Sequence, residues 1–218
     1  VPIENSSTGG ITDIYDHMLE YNIHIVGEQI IKIEHALLAK KGVKAEDICK
    51  VYSHSQGIRQ CSSFFNSHPE IEAIAVSSTV AGAKAAAEAS DNSSAAIASE
   101  KAADVYGLEI LKSRINEQDN NSTRFVVFSS EKKYIKNAKK ISISFEAKHE
   151  SGALYRILSH FYRNGINLEK IESRPIPDRT WEYRFFVDIA GNLMMQSVKN
   201  SLGGAEEESE GLTILGNY

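Results

Sequence analysis

The hydrophobic rhythm of this chain changes once, near residues 129–138, and that change restricts it to two kinds of fold joined end to end. Before it, short runs of β character alternate with helical ones. Ile23, Ile25, Ile31 and Ile33, apolar at odd positions, predict a long strand over residues 23–33. Short strands follow at 51–53, 71–76, 95–98, 108–111 and 125–128. Helices are expected at 11–19, 57–66, 79–89 and 100–106, with Ser77 or Ser78 capping the third and Gly107 closing the fourth. Such alternation implies a mainly parallel sheet covered on both faces. After the lysine-rich stretch the pattern becomes a strand at 141–145, an amphipathic helix at 152–163, strands at 166–174 and 182–189, a helix at 193–202 and a strand at 212–215. The last strand is reached through an acidic loop at Glu206, Glu207 and Glu208. That order, β-α-β-β-α-β, is the ferredoxin-like motif. The boundary falls between residues 132 and 133.

Bulk properties exclude several function classes. A chain of 218 residues has room for one large domain or two small ones. A net charge of −5, without a basic stripe interleaved with aromatics, argues against nucleic-acid binding. The cluster Lys132, Lys133, Lys136, Lys139 and Lys140 reads as a solvated linker or helix. No apolar run approaches membrane-spanning length. Cys49 and Cys61 lack metal or redox spacing and are expected as buried free thiols in a reducing compartment. The histidines are scattered, with no metal-ligand spacing.

Chemistry concentrates where strands meet polar turns. In Asn121-Ser122-Thr123-Arg124-Phe125 a hydroxyl and a guanidinium stand side by side at the start of a strand. A hydroxyl can donate to a leaving oxygen, and Arg can grip a carboxylate with two parallel bonds. The structural alternative is a polar strand start with Asn120 and Asn121 as turn residues. Glu4-Asn5-Ser6, His54-Ser55-Gln56 and Ser77-Ser78-Thr79 each follow a strand and precede a helix. Each alone is an ordinary helix cap. Opening together on one edge of a parallel sheet, they and Thr123-Arg124 would form a polar cleft for a small carboxylated ligand. Glu172 and Arg174 share a strand face and are placed to form an ion pair.

These segments, with Gly152-Ala153-Leu154, Ile166-Asn167-Leu168, Ile171-Glu172-Ser173-Arg174-Pro175 and the run from Trp181 to Asp188, occur in the order seen in prephenate dehydratases, and the sequence resembles that family over nearly its whole length. The resemblance implies an α/β catalytic domain over residues 1–132, two-lobed and similar to type II periplasmic binding proteins. A regulatory ACT domain of ferredoxin-like βαββαβ form would occupy residues 133–218. It implies decarboxylating dehydration of prephenate to phenylpyruvate in the cytoplasm, without metal or cofactor, under feedback by L-phenylalanine in a homodimer or homotetramer. Catalysis would fall to Thr123, as donor to the departing hydroxyl, to Arg124, gripping a carboxylate, and to Glu4, a proton source kept neutral by burial. Asn5, Ser6, His54, Gln56, Ser78, Thr79 and Phe125 would bind substrate. L-phenylalanine would sit against Gly152, Ala153 and Leu154, closed by Asn167 and Leu168 of a neighbouring subunit, with Glu172, Ser173 and Arg174 in support.

Family members carry a further strand–helix–strand–helix block ahead of the Pro-Ile-Glu-Asn-Ser segment, so this chain is expected to lack one wall of the cleft. Two other outcomes stay open on the sequence. One is a non-catalytic amino-acid sensor with a vestigial first domain; the other is an arogenate dehydratase.

Overall fold

The computed structural model describes residues 1–118 and 120–218. In chain order the strands and helices are Pro2–Asn5 (β1), Gly9–Gly10 (β2), Asp13–Glu20 (α1), His24–Lys32 (β3), Ala36–Ala39 (β4), Lys50–His54 (β5), Ser55–Gln60 (α2), Ser62–Ser67 (α3), Glu72–Val76 (β6), Thr79–Glu88 (α4), Ser94–Ala98 (β7), Glu100–Tyr106 (α5), Glu109–Lys112 (β8), Ser122–Ser129 (β9), Lys140–Glu146 (β10), Ala153–Arg163 (α6), Leu168–Pro175 (β11), Tyr183–Ala190 (β12), Gln196–Glu208 (α7) and Glu210–Asn217 (β13). They fall into two compact units, Val1–Ile31 with Thr123–Tyr218, and Lys32–Ser122.

The unit of residues 32–122 is built on a five-stranded sheet of order β6-β5-β7-β4-β8. Strand β5 is parallel to β6 and β7, as the strand–helix alternation predicts. Strand β4 runs antiparallel to both β7 and β8, so the sheet is mixed. All four residues of β4 are buried, an apolar run without the alternation that would have marked it. One face packs Leu37, Val51 and Ile97 against Phe64 of α3. The other packs Leu38, Ala96 and Ala98 against alanines of α4 and α5. Small residues let α4 come close: a Cβ on Gly82 would stand 2.7 Å from the Tyr52 carbonyl oxygen. The helix expected at 57–66 is broken at Cys61 into α2 and α3. Cys61 is buried, but Cys49, just ahead of β5, is exposed, contrary to expectation.

The other unit holds an eight-stranded sheet of order β11-β12-β10-β13-β3-β9-β1-β2. Its C-terminal half has the predicted β-α-β-β-α-β order, with α6 and α7 packed on Ile141, Ile143, Phe145, Val187 and Ile189. Glu206, Glu207 and Glu208 form the last turn of α7, not a loop. Glu is a good helix former, and the helix stops at Ser209, whose hydroxyl bonds back to the Ala205 carbonyl. Strand β13 then joins β3 in parallel at Gly216 and Ile25. Only glycine fits there, because a Cβ would lie 2.4 Å from the Ile25 carbonyl oxygen.

The sheet face opposite α6 and α7 is also covered. Tyr15 of α1 meets Phe186 of β12 at 4.8 Å between ring centroids. Ile3, Met18, Ile25, Val126 and Leu215 complete this core. The change of sequence rhythm near residues 129–138 does not coincide with the division into compact units. The C-terminal module shares a sheet and a core with β1, α1, β3 and β9.

Candidate active site and regulatory cavity

Strands β1 and β9 are antiparallel, with Asn5 opposite Thr123 and Glu4 opposite Arg124. Opposed residues share a face and successive residues alternate. Asn5 and Thr123 therefore lie on one face of the ladder, and Glu4 and Arg124 on the other.

On the first face, Asn5 and Thr123 are both buried. Asn5 Oδ1 accepts hydrogen bonds from the backbone N–H groups of Ser7 and Thr8 and from the Thr8 hydroxyl. Backbone amides can only donate, so the carboxamide has one orientation and its Nδ2 faces Thr123. Nδ2 donates to Thr123 Oγ1 at 2.9 Å. The Thr123 oxygen is thus an acceptor here, and its own proton is directed elsewhere. Charge developing on Oγ1 would meet a fixed donor. Ser6 is exposed in the turn after β1, and Phe125 is half-buried opposite Pro2.

The second face is ionic. The guanidinium of Arg124 hydrogen-bonds the carboxylate of Asp188 on β12, with Glu28 at 3.5 Å and Glu4 at 3.6 Å. Burial opposes the Arg124 charge. The Asp188 carboxylate, by charge and hydrogen bond, together with Tyr218 and Glu28 more than offsets this, holding the guanidinium above its ordinary pKa. The expected carboxylate grip therefore already holds one, that of Asp188. Glu4 departs from expectation too. It lies on the face away from Thr123, its side chain is 35% exposed, and Lys170 stands 3.4 Å from it. Asp188 also accepts from the Ser142 hydroxyl, which contacts the Tyr218 phenol at 2.8 Å.

The remaining polar turns belong to the other unit. His54 caps α2, its Nδ1 accepting from the Gln56 amide at 3.2 Å. Ser78 caps α4 by accepting from the Ala81 amide at 3.0 Å. Because β5 and β6 are parallel, these turns share an edge, as expected. Thr79 lies close by: a Cβ on Gly57 would be 3.6 Å from its methyl group. Glu4, Asn5 and Ser6 do not open on that edge. Their strand pairs antiparallel with β9 in the other sheet, so the single-sheet picture is corrected.

In the C-terminal module, Gly152 adopts a left-handed conformation at φ 80° and starts α6. Beside it is a cavity of about 340 Å³ lined by Glu150, Ala153, Leu154, Trp181, Tyr183 and Phe185, among others. Asn167 is exposed and Leu168 half-buried. Arg174 and Glu172 do not form the expected ion pair, and neither is among the residues lining this cavity. Arg174 bonds Asp16 of α1 at 2.6 Å, and Glu172 lies against Gly10. Ser173, between them, is exposed.

The sequence model of prephenate dehydratase matches residues 1–133. The chain belongs to the prephenate dehydratase family. The ACT domain model matches residues 141–206. The bifunctional chorismate mutase/prephenate dehydratase of Stutzerimonas stutzeri is 38% identical over the whole chain, and the chain spans 60% of that protein's length. A solved prephenate dehydratase from Arthrobacter aurescens, in complex with L-Phe, superimposes with a TM-score of 0.88 at 31% identity, covering 100% of this chain and 73% of that one. GqqA, described as a novel type of quorum quenching acylase, superimposes at 0.90 with 26% identity, covering 99% and 79%.

Within the prephenate dehydratase frame, sequence reasoning missed Asp188 and Asp16 as partners of the two arginines. Asp188 carries a readable signal. It interrupts the apolar run from Phe185 to Ile189, where a charge needs a partner.

Proposed function

We propose that this chain carries the dehydratase chemistry of its family, converting prephenate to phenylpyruvate, carbon dioxide and water. One observation carries the reading: the hydrogen bond from Asn5 Nδ2 to Thr123 Oγ1. In the reaction the bond from the ring to its carboxylate breaks, and its electron pair enters the ring. The carbon–oxygen bond on the opposite side breaks, and the hydroxyl departs as water with a proton passed along the hydrogen bond from Thr123. Solvent returns the proton to Thr123. A threonine hydroxyl is a very weak acid, and the Asn5 amide reduces the cost of charge on its oxygen. The group that meets Thr123 is a donor and not a base, which favours proton donation over activation as a nucleophile.

Phenylpyruvate formation by the purified chain, followed in the ultraviolet, tests this. Thr123→Ala should lower kcat by about 10²–10³-fold, the size of losing one preorganised transition-state donor, and Thr123→Ser should retain part of it. No phenylpyruvate from the wild-type chain, or a near-normal kcat in the Ala variant, would overturn the reading. Arogenate, with formation of L-phenylalanine followed by chromatography because its amine survives the reaction, separates the two substrates, which differ by an amine in place of a ketone.

The regulatory ligand in this reading is L-phenylalanine, with which the solved relative is in complex, and here it would be held at the start of α6. Gly152, Ala153 and Leu154 would face it, and Asn167 and Leu168 of a second subunit would close the site in a homodimer or homotetramer. Titration calorimetry with L-phenylalanine measures the affinity, and light scattering with and without it measures the assembly.

A further inference from the structure

We propose that Asp188, on the ACT sheet, is a positioning residue that sets the geometry of Asn5 and Thr123 by holding Arg124 across the ladder. Asn5–Thr123 and Glu4–Arg124 are adjacent rungs of the same β1–β9 pair, so a side chain fixed on one face constrains the backbone that presents the other. Arg124 is fixed in this way: its side chain and that of Asp188 are 10% and 9% exposed, and the two bond directly. Asp188 is itself braced by Ser142 on β10, which contacts Tyr218 just beyond β13. Among the described residues, the other carboxylates within 4 Å of Arg124 are Glu4, on the strand that carries Asn5, and Glu28 on β3. Lys170 stands by Glu4, and Lys140 bridges Glu28 and Glu169. Without the Asp188 charge, Arg124 is left to Glu4 and Glu28, and a shift toward Glu4 pulls on the rung beside Asn5. The C-terminal module would then supply part of the catalytic site as well as a ligand cavity.

The size of any rate effect rests on the prephenate dehydratase reading; the positioning itself does not, and two readouts keep them apart. Asp188→Asn removes the charge and keeps the shape. The first readout is the NMR signal of the Asn5 side-chain amide, across the sheet from Asp188 and assigned by its loss in Asn5→Asp. It should move in Asp188→Asn, together with the Arg124 Nε–H signal. An unmoved Asn5 amide signal overturns the proposal whatever else changes, because a merely structural role for the ion pair alters stability without reaching that group. The second readout is turnover: kcat should fall by about 10²-fold, as for a displacement of about 1 Å, with KM within about twofold. A wild-type chain that forms no phenylpyruvate refutes the function proposed above and leaves the amide signal to decide the positioning alone.

Discussion

Asn5→Asp isolates the proposed catalytic use of Asn5 from its structural one. Among the described residues, Oδ1 accepts hydrogen bonds from the Ser7 amide and from the amide and hydroxyl of Thr8, and Nδ2 donates to Thr123. At about 1 kcal/mol for each bond lost, Asn5→Ala costs several kcal/mol and confuses unfolding with loss of catalysis. Aspartate keeps an oxygen for the turn amides, so the turn persists. Its second oxygen can only accept, so Thr123 must rotate its hydroxyl to donate toward residue 5. Two losses then coincide. The donor to charge forming on Oγ1 disappears, worth about 10²–10³ in kcat, or about 2.7–4 kcal/mol. The proton that should reach the leaving hydroxyl is also turned away. The assay is kcat and KM for phenylpyruvate formation beside a thermal melt. The expected result is a kcat lowered by at least about 10²-fold in a variant that still melts cooperatively above the assay temperature, with some stability lost to the buried carboxylate. A folded Asn5→Asp variant with kcat within about fivefold of wild type would refute the assignment of Asn5 as the group that orients Thr123.

Three further outcomes follow from the packing. Gly216→Ala places a Cβ 2.4 Å from the Ile25 carbonyl oxygen, a backbone atom that cannot swing aside, so denaturant unfolding should show a loss of about 1–3 kcal/mol or more. A thiol reagent should modify exposed Cys49 in the native protein and reach Cys61 only after unfolding. Cys61 is fully buried, and burial, with Glu117 nearby, pushes its thiol up to about 12. Tyr15 and Tyr218 are held above the ordinary 10.0 of a phenol, first by burial and then by Asp188. Above about pH 10 the unfolded chain releases these protons while the folded one retains them, so stability is full below that pH and falls as pH rises. Urea midpoints from about pH 8 to pH 11 check the slope, which Tyr218→Phe should flatten.

What the sequence disclosed and what it withheld have separate physical causes. The turns at His54 and Ser78 were legible because a strand, a polar cap and a helix are local in sequence, and parallel β5 and β6 put both on one edge. The ACT-like module was legible for the same reason: its amphipathic helix and alternating strands each declare an inner face. Strand β4 was not, because a strand buried on both faces loses its alternation and leaves only Ala36-Leu37-Leu38-Ala39. The placement of Arg124 could have been derived. Neighbours on a strand point to opposite faces, so a hydroxyl and a guanidinium side by side in sequence cannot both line one cleft unless a bulge intervenes. What no local pattern supplied was the identity of the other face. The charge at Asp188, inside an otherwise apolar strand, announced a buried partner but not which one, because the pairing with Arg124 spans 64 residues. Long-range ionic pairs of this kind depend on how sheets join, here on Gly216 letting β13 approach β3. The same join places the C-terminal module in one sheet with the strands that present Asn5 and Thr123, which is the route the proposed positioning by Asp188 requires.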